Sequence, residues 1–124
     1  MQLDHLNLYV ADVARSRAFY EQLLVPNGMP VNREFGEIAV GFGPGNYAVL
    51  ALVRQAGDVQ PVHLAFRVDT REEVDALYTT AISAGAVDNG APGLRPHYHQ
   101  HYYAAFLVDP DGHNLEFVCH EPDR

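Results

Sequence analysis

Two histidines and a glutamate carry the pattern from which chemistry can be read. His63 stands in Pro61-Val62-His63-Leu64-Ala65-Phe66-Arg67-Val68, where Val62, Leu64, Phe66 and Val68 take one side of an extended strand and His63, Ala65 and Arg67 the other. His5 stands in Leu3-Asp4-His5-Leu6-Asn7-Leu8-Tyr9-Val10, where Leu6, Leu8 and Val10 share a face and His5, Asn7 and Tyr9 share the opposite one. Near the C-terminus, Asn114-Leu115-Glu116-Phe117-Val118-Cys119 alternates in the same way. Leu115, Phe117 and Cys119 suit packing on a helix, and Asn114 and Glu116 fall on the side of the histidines. A carboxylate turned inward without a partner costs on the order of several kcal/mol, so its presence there asks for a reason. Two neutral imidazoles and one carboxylate bind a divalent metal and leave open positions for water or substrate. Lewis-acid or oxygen chemistry needs those positions. The set does not choose among Zn, Ni, Mn and Fe. Taken singly, either histidine reads first as a hydrogen-bonded structural residue; it is their joint placement with Glu116 that argues for a site.

A second candidate region is the loop Arg95-Pro96-His97-Tyr98-His99-Gln100-His101-Tyr102-Tyr103. It reads as a lid. Arg95 supplies a charge for an anionic substrate, His97 or His99 exchanges a proton near neutral pH, and Tyr102 or Tyr103 provides a wall or a hydrogen bond. The competing readings are a solvated connection and a second metal site, the latter disfavoured because no carboxylate stands between the histidines. Asn7 and Arg67, on the histidine faces, are the other candidates for substrate contact; Arg67 reads equally as a salt-bridged structural residue. His113, in a turn, reads as exposed, and His120 carries no signal.

The elements that must position these residues repeat. Asp12 is a plausible N-cap for a helix over Val13 to Leu24, ended by Pro26-Asn27-Gly28. Strands are expected at Val31 to Phe35, Glu37 to Phe42 and Tyr47 to Arg54, the last with no side chain able to ligate a metal. Residues 55–60 are polar and read as a linker. Thr70-Arg71-Glu72-Glu73 is a capping box that opens a second helix, with Val74, Leu77, Tyr78, Ala81 and Ile82 at helical spacing and Gly85 at its end. A short strand at Ala86 to Asn89, a long loop from Gly90 to His101, a strand at Tyr102 to Val108, the turn Asp109-Pro110-Asp111-Gly112 and the strand around Glu116 follow. His5 and His63 are 58 residues apart, and the same offset takes Val10 to Val68, Phe19 to Leu77, Tyr20 to Tyr78 and Leu24 to Ile82. Each half is therefore one strand, one helix and three strands.

The chain of 124 residues, 48% hydrophobic and 19% charged, suits a single compact domain. A net charge of -8 with 8 Lys and Arg argues against nucleic acid and gives no basic face for a membrane surface. No apolar run is long enough to span a bilayer and the start shows no secretory pattern, so a cytoplasmic location is the expectation. The single Cys119, in an apolar strand, reads as a buried inert thiol.

These motifs together resemble the vicinal oxygen chelate superfamily, which contains glyoxalase I, extradiol dioxygenases, fosfomycin-resistance transferases and bleomycin-binding proteins. The resemblance covers nearly the whole chain. It rests on Asp4-His5-Leu6, Ser16-Arg17-Ala18-Phe19-Tyr20, Val62-His63-Leu64-Ala65-Phe66 and, most specifically, Phe106-Leu107-Val108-Asp109-Pro110-Asp111-Gly112-His113-Asn114-Leu115-Glu116-Phe117. The stretch from Asn89 to Tyr103 looks like an uncharacterised glyoxalase-like branch. The resemblance implies an α+β fold of two tandem βαβββ modules, about residues 1–54 and 61–120, enclosing a cleft between curved mixed sheets. It implies His5, His63 and Glu116 as ligands of a divalent metal and a small-molecule substrate bound through adjacent oxygens. It implies a homodimer, and the three ligands then come either from one chain or from two, His5 of one chain joining His63 and Glu116 of another. Glyoxalase I has a fourth ligand on the last strand of its first module, which Tyr47 to Val53 lacks. The implied function is thus a metal-dependent lyase, isomerase or dioxygenase with three protein ligands; the alternative is a metal-free sequestering protein of the bleomycin-resistance type.

Overall fold

The computed structural model describes residues 1–123. Backbone packing divides it into two compact units, Met1–Gln60 and the part from Pro61 onward. The chain folds as an α+β protein with two four-stranded mixed sheets and two helices.

In the first unit, β1 (Leu6–Val10) leads into α1 (Val13–Leu24), then β2 (Val31–Glu34), β3 (Ala39–Phe42) and β4 (Leu50–Arg54). The sheet order is β1-β4-β3-β2, with β1 and β4 parallel and the other pairs antiparallel. Asp12 caps α1 by accepting the Arg15 N–H at 3.1 Å. A 3-10 turn over Val25–Asn27 carries Pro26, and Gly28 at φ 87° turns the chain away. Alternation puts Leu8, Val10, Val40, Phe42, Leu50 and Leu52 on the face that buries Phe19, Tyr20 and Leu23 of α1. The second and third strands are shorter than the sequence suggests. Phe35 and Ile38 close the turn between them, with the Ile38 N–H bonded to Phe35 O. Tyr47 to Val49 lies outside β4, because the chain there folds tightly over Gly43, where a Cβ would lie 2.4 Å from Tyr47 O.

The second unit repeats the plan with β5 (His63–Arg67), α2 (Arg71–Ser83), β6 (Val87–Leu94), β7 (Tyr103–Val108) and β8 (Asn114–Cys119), in the order β5-β8-β7-β6. Thr70 Oγ1 accepts the Glu73 N–H at 3.2 Å, and the Thr70 hydroxyl lies 3.3 Å from the Glu73 carboxylate, so the box closes side chain to side chain. Val74, Leu77 and Ala81 are buried, whereas Ile82 is 37% exposed at the rim of the stripe. They pack on Ala105, Leu107, Leu115, Phe117 and Cys119, all at most 1% exposed. The Cys119 thiol is buried, with Asp69 O as an acceptor.

One expected loop is partly strand. β6 runs through Gly90, Ala91, Pro92 and Gly93 to Leu94, with register breaks on either side of Gly90. As the edge strand it tolerates a proline and a glycine at φ 146° that an interior strand would reject. His113 is the second departure: expected exposed, it is 1% exposed. Its Nδ1 accepts the Val62 N–H at 3.1 Å, and Asp109 Oδ1 accepts the N–H groups of Asp111 and His113 at 2.9 Å each. The turn thus folds the imidazole under the start of β5.

Candidate functional site

Register decides which side chains share a face. In the parallel pair β5·β8, Leu64 lies opposite Leu115, Ala65 opposite Glu116 and Arg67 opposite Val118. Phe106 of β7 is the other neighbour of Glu116. The side away from α2 therefore presents His63, Ala65 and Arg67, then Glu116 and Val118, then Phe106. His63, Ala65 and Arg67 are exposed, while Glu116 is 1% exposed.

Glu116 is held at both oxygens. Oε1 lies 2.7 Å from His63 Nε2, and Oε2 accepts a hydrogen bond from the Tyr102 hydroxyl. Burial, and next the Glu116 carboxylate, push the Tyr102 phenol up to about 12, so it stays a donor across the physiological range. The loop that brings Tyr102 here is closed by Arg95 N–H to Tyr102 O at 2.7 Å and Tyr102 N–H to His99 O at 3.2 Å. The Tyr102 ring packs against the rings of Tyr98, His120 and His99 at 4.7, 5.2 and 5.4 Å.

His99 has a definite tautomer from its partners. Its Nδ1 accepts the His101 N–H at 3.1 Å, so in the neutral ring the proton sits on Nε2. That Nε2–H faces His120 Nδ1 at 2.7 Å, which leaves the His120 proton on Nε2. Burial first, then Arg67 and His99, hold His120 below the ordinary histidine range. His120 is thus a member of the group that sequence reading passed over. Its signal was parity: it follows Glu116 and Val118 in the alternation of β8.

The remaining predicted residues lie elsewhere. His97 packs on Tyr98 at 4.2 Å between ring centres and makes no contact with Glu116 among those described. Arg95 turns its guanidinium onto Gly93 O and Ala91 O, 2.9 and 2.8 Å away, and lies over the Phe106 ring. Tyr103 falls on the helix side of the sheet, where its hydroxyl donates to Asp75 Oδ1 at 2.6 Å under the Arg71 guanidinium. In the first unit, His5 precedes β1, is exposed and lies 2.7 Å from Asp4 Oδ2; Asn7 is exposed on the open face of β1.

The imidazole nitrogen of His63 facing the Glu116 oxygen is a donor pair of the kind a divalent ion accepts. It supplies two donors; among the described residues no three His, Cys, Asp or Glu side chains group so as to hold an ion. The two copies differ at this position. Asn7 lies opposite Ala51 in β1·β4, as Ala65 lies opposite Glu116 in β5·β8, so Ala51 occupies the place of the glutamate.

A four-stranded sheet of this order, present twice, defines a glyoxalase-like fold of two tandem modules. The family model for the Glyoxalase/Bleomycin resistance protein/Dioxygenase superfamily matches residues 2–117, and the chain belongs to that superfamily. Among solved structures it is similar to hypothetical protein SA1046 from S. aureus, at 29% identity and TM-score 0.72 over 96% of this chain and 97% of that one. It is similar to a glyoxalase/bleomycin resistance protein/dioxygenase family enzyme from Burkholderia phytofirmans PsJN, at 26% identity and TM-score 0.74 over 98% and 100%. A third is the oxidase ChaP-H2, at 25% identity and TM-score 0.67 over 99% and 95%. No curated protein matches the chain. Among the described residues no helix is long and apolar enough to cross a membrane.

Proposed function

We propose that this protein is a divalent-metal-dependent enzyme of the glyoxalase/dioxygenase type, acting on a small oxygen-rich molecule on the open face of the second sheet. The observation that carries this reading is the buried Glu116 carboxylate, flanked by His63 Nε2 at 2.7 Å and by the Tyr102 hydroxyl. His63 and Glu116 would hold the metal, with His5 as third ligand supplied in a homodimer. When bound, such an ion polarises oxygen ligands as a Lewis acid. In this reading Glu116 would take up a proton from a substrate carbon or oxygen. Tyr102, protonated throughout the physiological range, donates a hydrogen bond to Glu116 and keeps that carboxylate oriented. His99 steadies the Tyr102 ring by its edge contact.

Metal analysis of protein purified without chelator tests the reading. Close to one divalent ion per chain is expected, with at least about tenfold weaker uptake in His63→Ala, Glu116→Ala and His5→Ala. A wild type that holds no divalent ion and takes none up on titration refutes it. The second reading, a metal-free binding protein, has its own support: the His63–Glu116 bond satisfies both groups without an ion. It is favoured if ligands bind equally well with and without chelator.

A further inference from the structure

The loop that carries Tyr102 closes on one residue, His99. Its Nδ1 accepts the His101 N–H at 3.1 Å, its Nε2–H donates to His120 Nδ1 at 2.7 Å, and its carbonyl accepts the Tyr102 N–H at 3.2 Å. Both ring nitrogens of His99 are thus occupied, and so is the lone pair of the neutral His120 ring. A further proton has no free place. On His99 Nδ1 it turns out the His101 N–H. On His120 Nδ1 it either meets the His99 Nε2–H across 2.7 Å or drives the His99 proton round to Nδ1, again against the His101 N–H. Every singly protonated form of the pair therefore loses a bond, and each form that keeps the two imidazoles joined loses the bond to His101. That amide stands one residue before Tyr102, whose ring meets His99 and His120 edge-on at 5.4 and 5.2 Å and whose hydroxyl donates to Glu116. The charges around the pair divide. Burial first, then Arg67 and His99, hold His120 below the ordinary value of 6.5, while Glu116 and Glu121 act the other way. On the loop, His97 packs on Tyr98, Tyr98 on Tyr102, and His101 Nε2 faces the Gln100 amide at 2.8 Å. Arg95 is tied to the carbonyls of Gly93 and Ala91. Among the described residues no carboxylate is ion-paired with His99 or His120.

We propose that the His99–His120 pair is an acid-released latch: neutral, it holds Tyr102 on Glu116, and uptake of one proton from water opens the turn and withdraws the Tyr102 hydroxyl from the carboxylate. That this withdrawal regulates catalysis rests on the reading given under Proposed function. The latch itself does not, since neither imidazole is among the metal ligands of that reading. The open turn accepts the proton that the closed turn excludes, so the closed form is complete on the alkaline side of the imidazole range and is lost as pH falls through it.

Nitrogen-15 NMR of the protein as purified without chelator reads the latch in the absence of any substrate. At about pH 8 the ring nitrogens of His99 and His120 should both report the Nε2–H form. As the pH falls toward about 5, the His101 amide and the Tyr102 ring signals should shift together with one midpoint. His99→Asn, whose side-chain oxygen can accept the His101 N–H and takes up no proton, should abolish the joint shift and keep the alkaline positions. His99→Phe, which offers no acceptor, should hold both signals near the acid positions of the wild type at every pH. Circular dichroism checks that both variants, at an exposed position, stay folded. An Nδ1–H form of His99 at about pH 8, His101 and Tyr102 signals that do not move, or an undiminished joint shift in His99→Asn overturns the latch. Metal analysis of the same sample keeps the two claims apart. A joint shift in protein that takes up no divalent ion upholds the latch while the metal reading falls, and its absence in protein that binds the ion refutes the latch alone.

Discussion

Tyr102→Phe tests the centre of the site through stability alone, without knowledge of the substrate. The hydroxyl is one of the two groups on a carboxylate that is 1% exposed. Hydrogen bonds to charged groups contribute about 1.5–3 kcal/mol, chiefly because the buried partner is left unsatisfied when one is removed. The phenylalanine ring keeps the neighbours of the tyrosine ring at 4.7, 5.2 and 5.4 Å, so no cavity adds to the cost. His63 is half exposed, so water replaces part of the lost bond, and about 1.5–2 kcal/mol is expected at pH 7. The pH dependence sharpens the test. The folded phenol is pushed up to about 12 by burial and then by Glu116, above the ordinary value of 10, so the native state holds a proton that the unfolded chain releases. Its contribution is complete below pH 10 and fades as pH rises through about 12. The gap between wild type and variant should therefore be widest at pH 7 to 9 and narrow above pH 10. Urea denaturation at fixed pH values reads it directly. Equal midpoints at pH 7, or a gap that widens above pH 10, would refute the arrangement around Glu116. A double-mutant cycle with Glu116→Gln should give a coupling above about 0.5 kcal/mol.

Three further perturbations reach the scaffold that sets this geometry. His113→Ala removes a buried ring and the acceptor of the Val62 N–H, and should cost about 2–4 kcal/mol with faster amide exchange at Val62; an amide as protected as in wild type would count against the role of His113 in holding β5. Thr70→Ala should cost about 1 kcal/mol in urea denaturation, with Thr70→Ser recovering most of it; no difference between the two would place the helix start under other control. Ala65→Leu covers the surface opposite Glu116 at an exposed position, so stability should stay within about 0.5 kcal/mol while divalent-metal uptake weakens; unchanged uptake would move the proposed site off this face.

The scaffold was legible because its signals are local. Alternation in Leu6 to Val10 and His63 to Arg67, the cap at Asp12, the box at Thr70 and the stop at Gly28 each act within a few residues, and the helices fall at Val13–Leu24 and Arg71–Ser83. Parity also placed His63 and Glu116 on one face, which the β5·β8 register shows. The rest depended on pairings distant in sequence. Nothing near His113 tells that Val62 lies above it, 51 residues away. The fate of the tyrosines turned on a single step of alternation: Tyr102, just before β7, reaches Glu116, and Tyr103 passes to the helix side and Asp75. His120 gained its place through His99, 21 residues distant. An edge strand that carries Gly90 and Pro92 looked like loop because propensity is weakest where one side of a strand has no partner.

Comparison of the two copies explains where function can differ while the fold does not. Equivalent register positions on the helix side hold Leu6 and Leu64, Leu50 and Leu115, Leu52 and Phe117, Phe42 and Leu107. Each is apolar because each sheet must bury its own helix there. On the opposite side the equivalents are Tyr9 and Arg67, Gly41 and Phe106, Ala51 and Glu116. No packing demand explains replacing an alanine by a carboxylate that is 1% exposed, since its desolvation works against folding and must be offset by His63 and Tyr102. The position where the second copy departs from the first at an energetic cost is the one on which the proposed role of Glu116 rests. Arg67, where the first copy has Tyr9, departs on the same face, in the strand that pairs with that of Glu116.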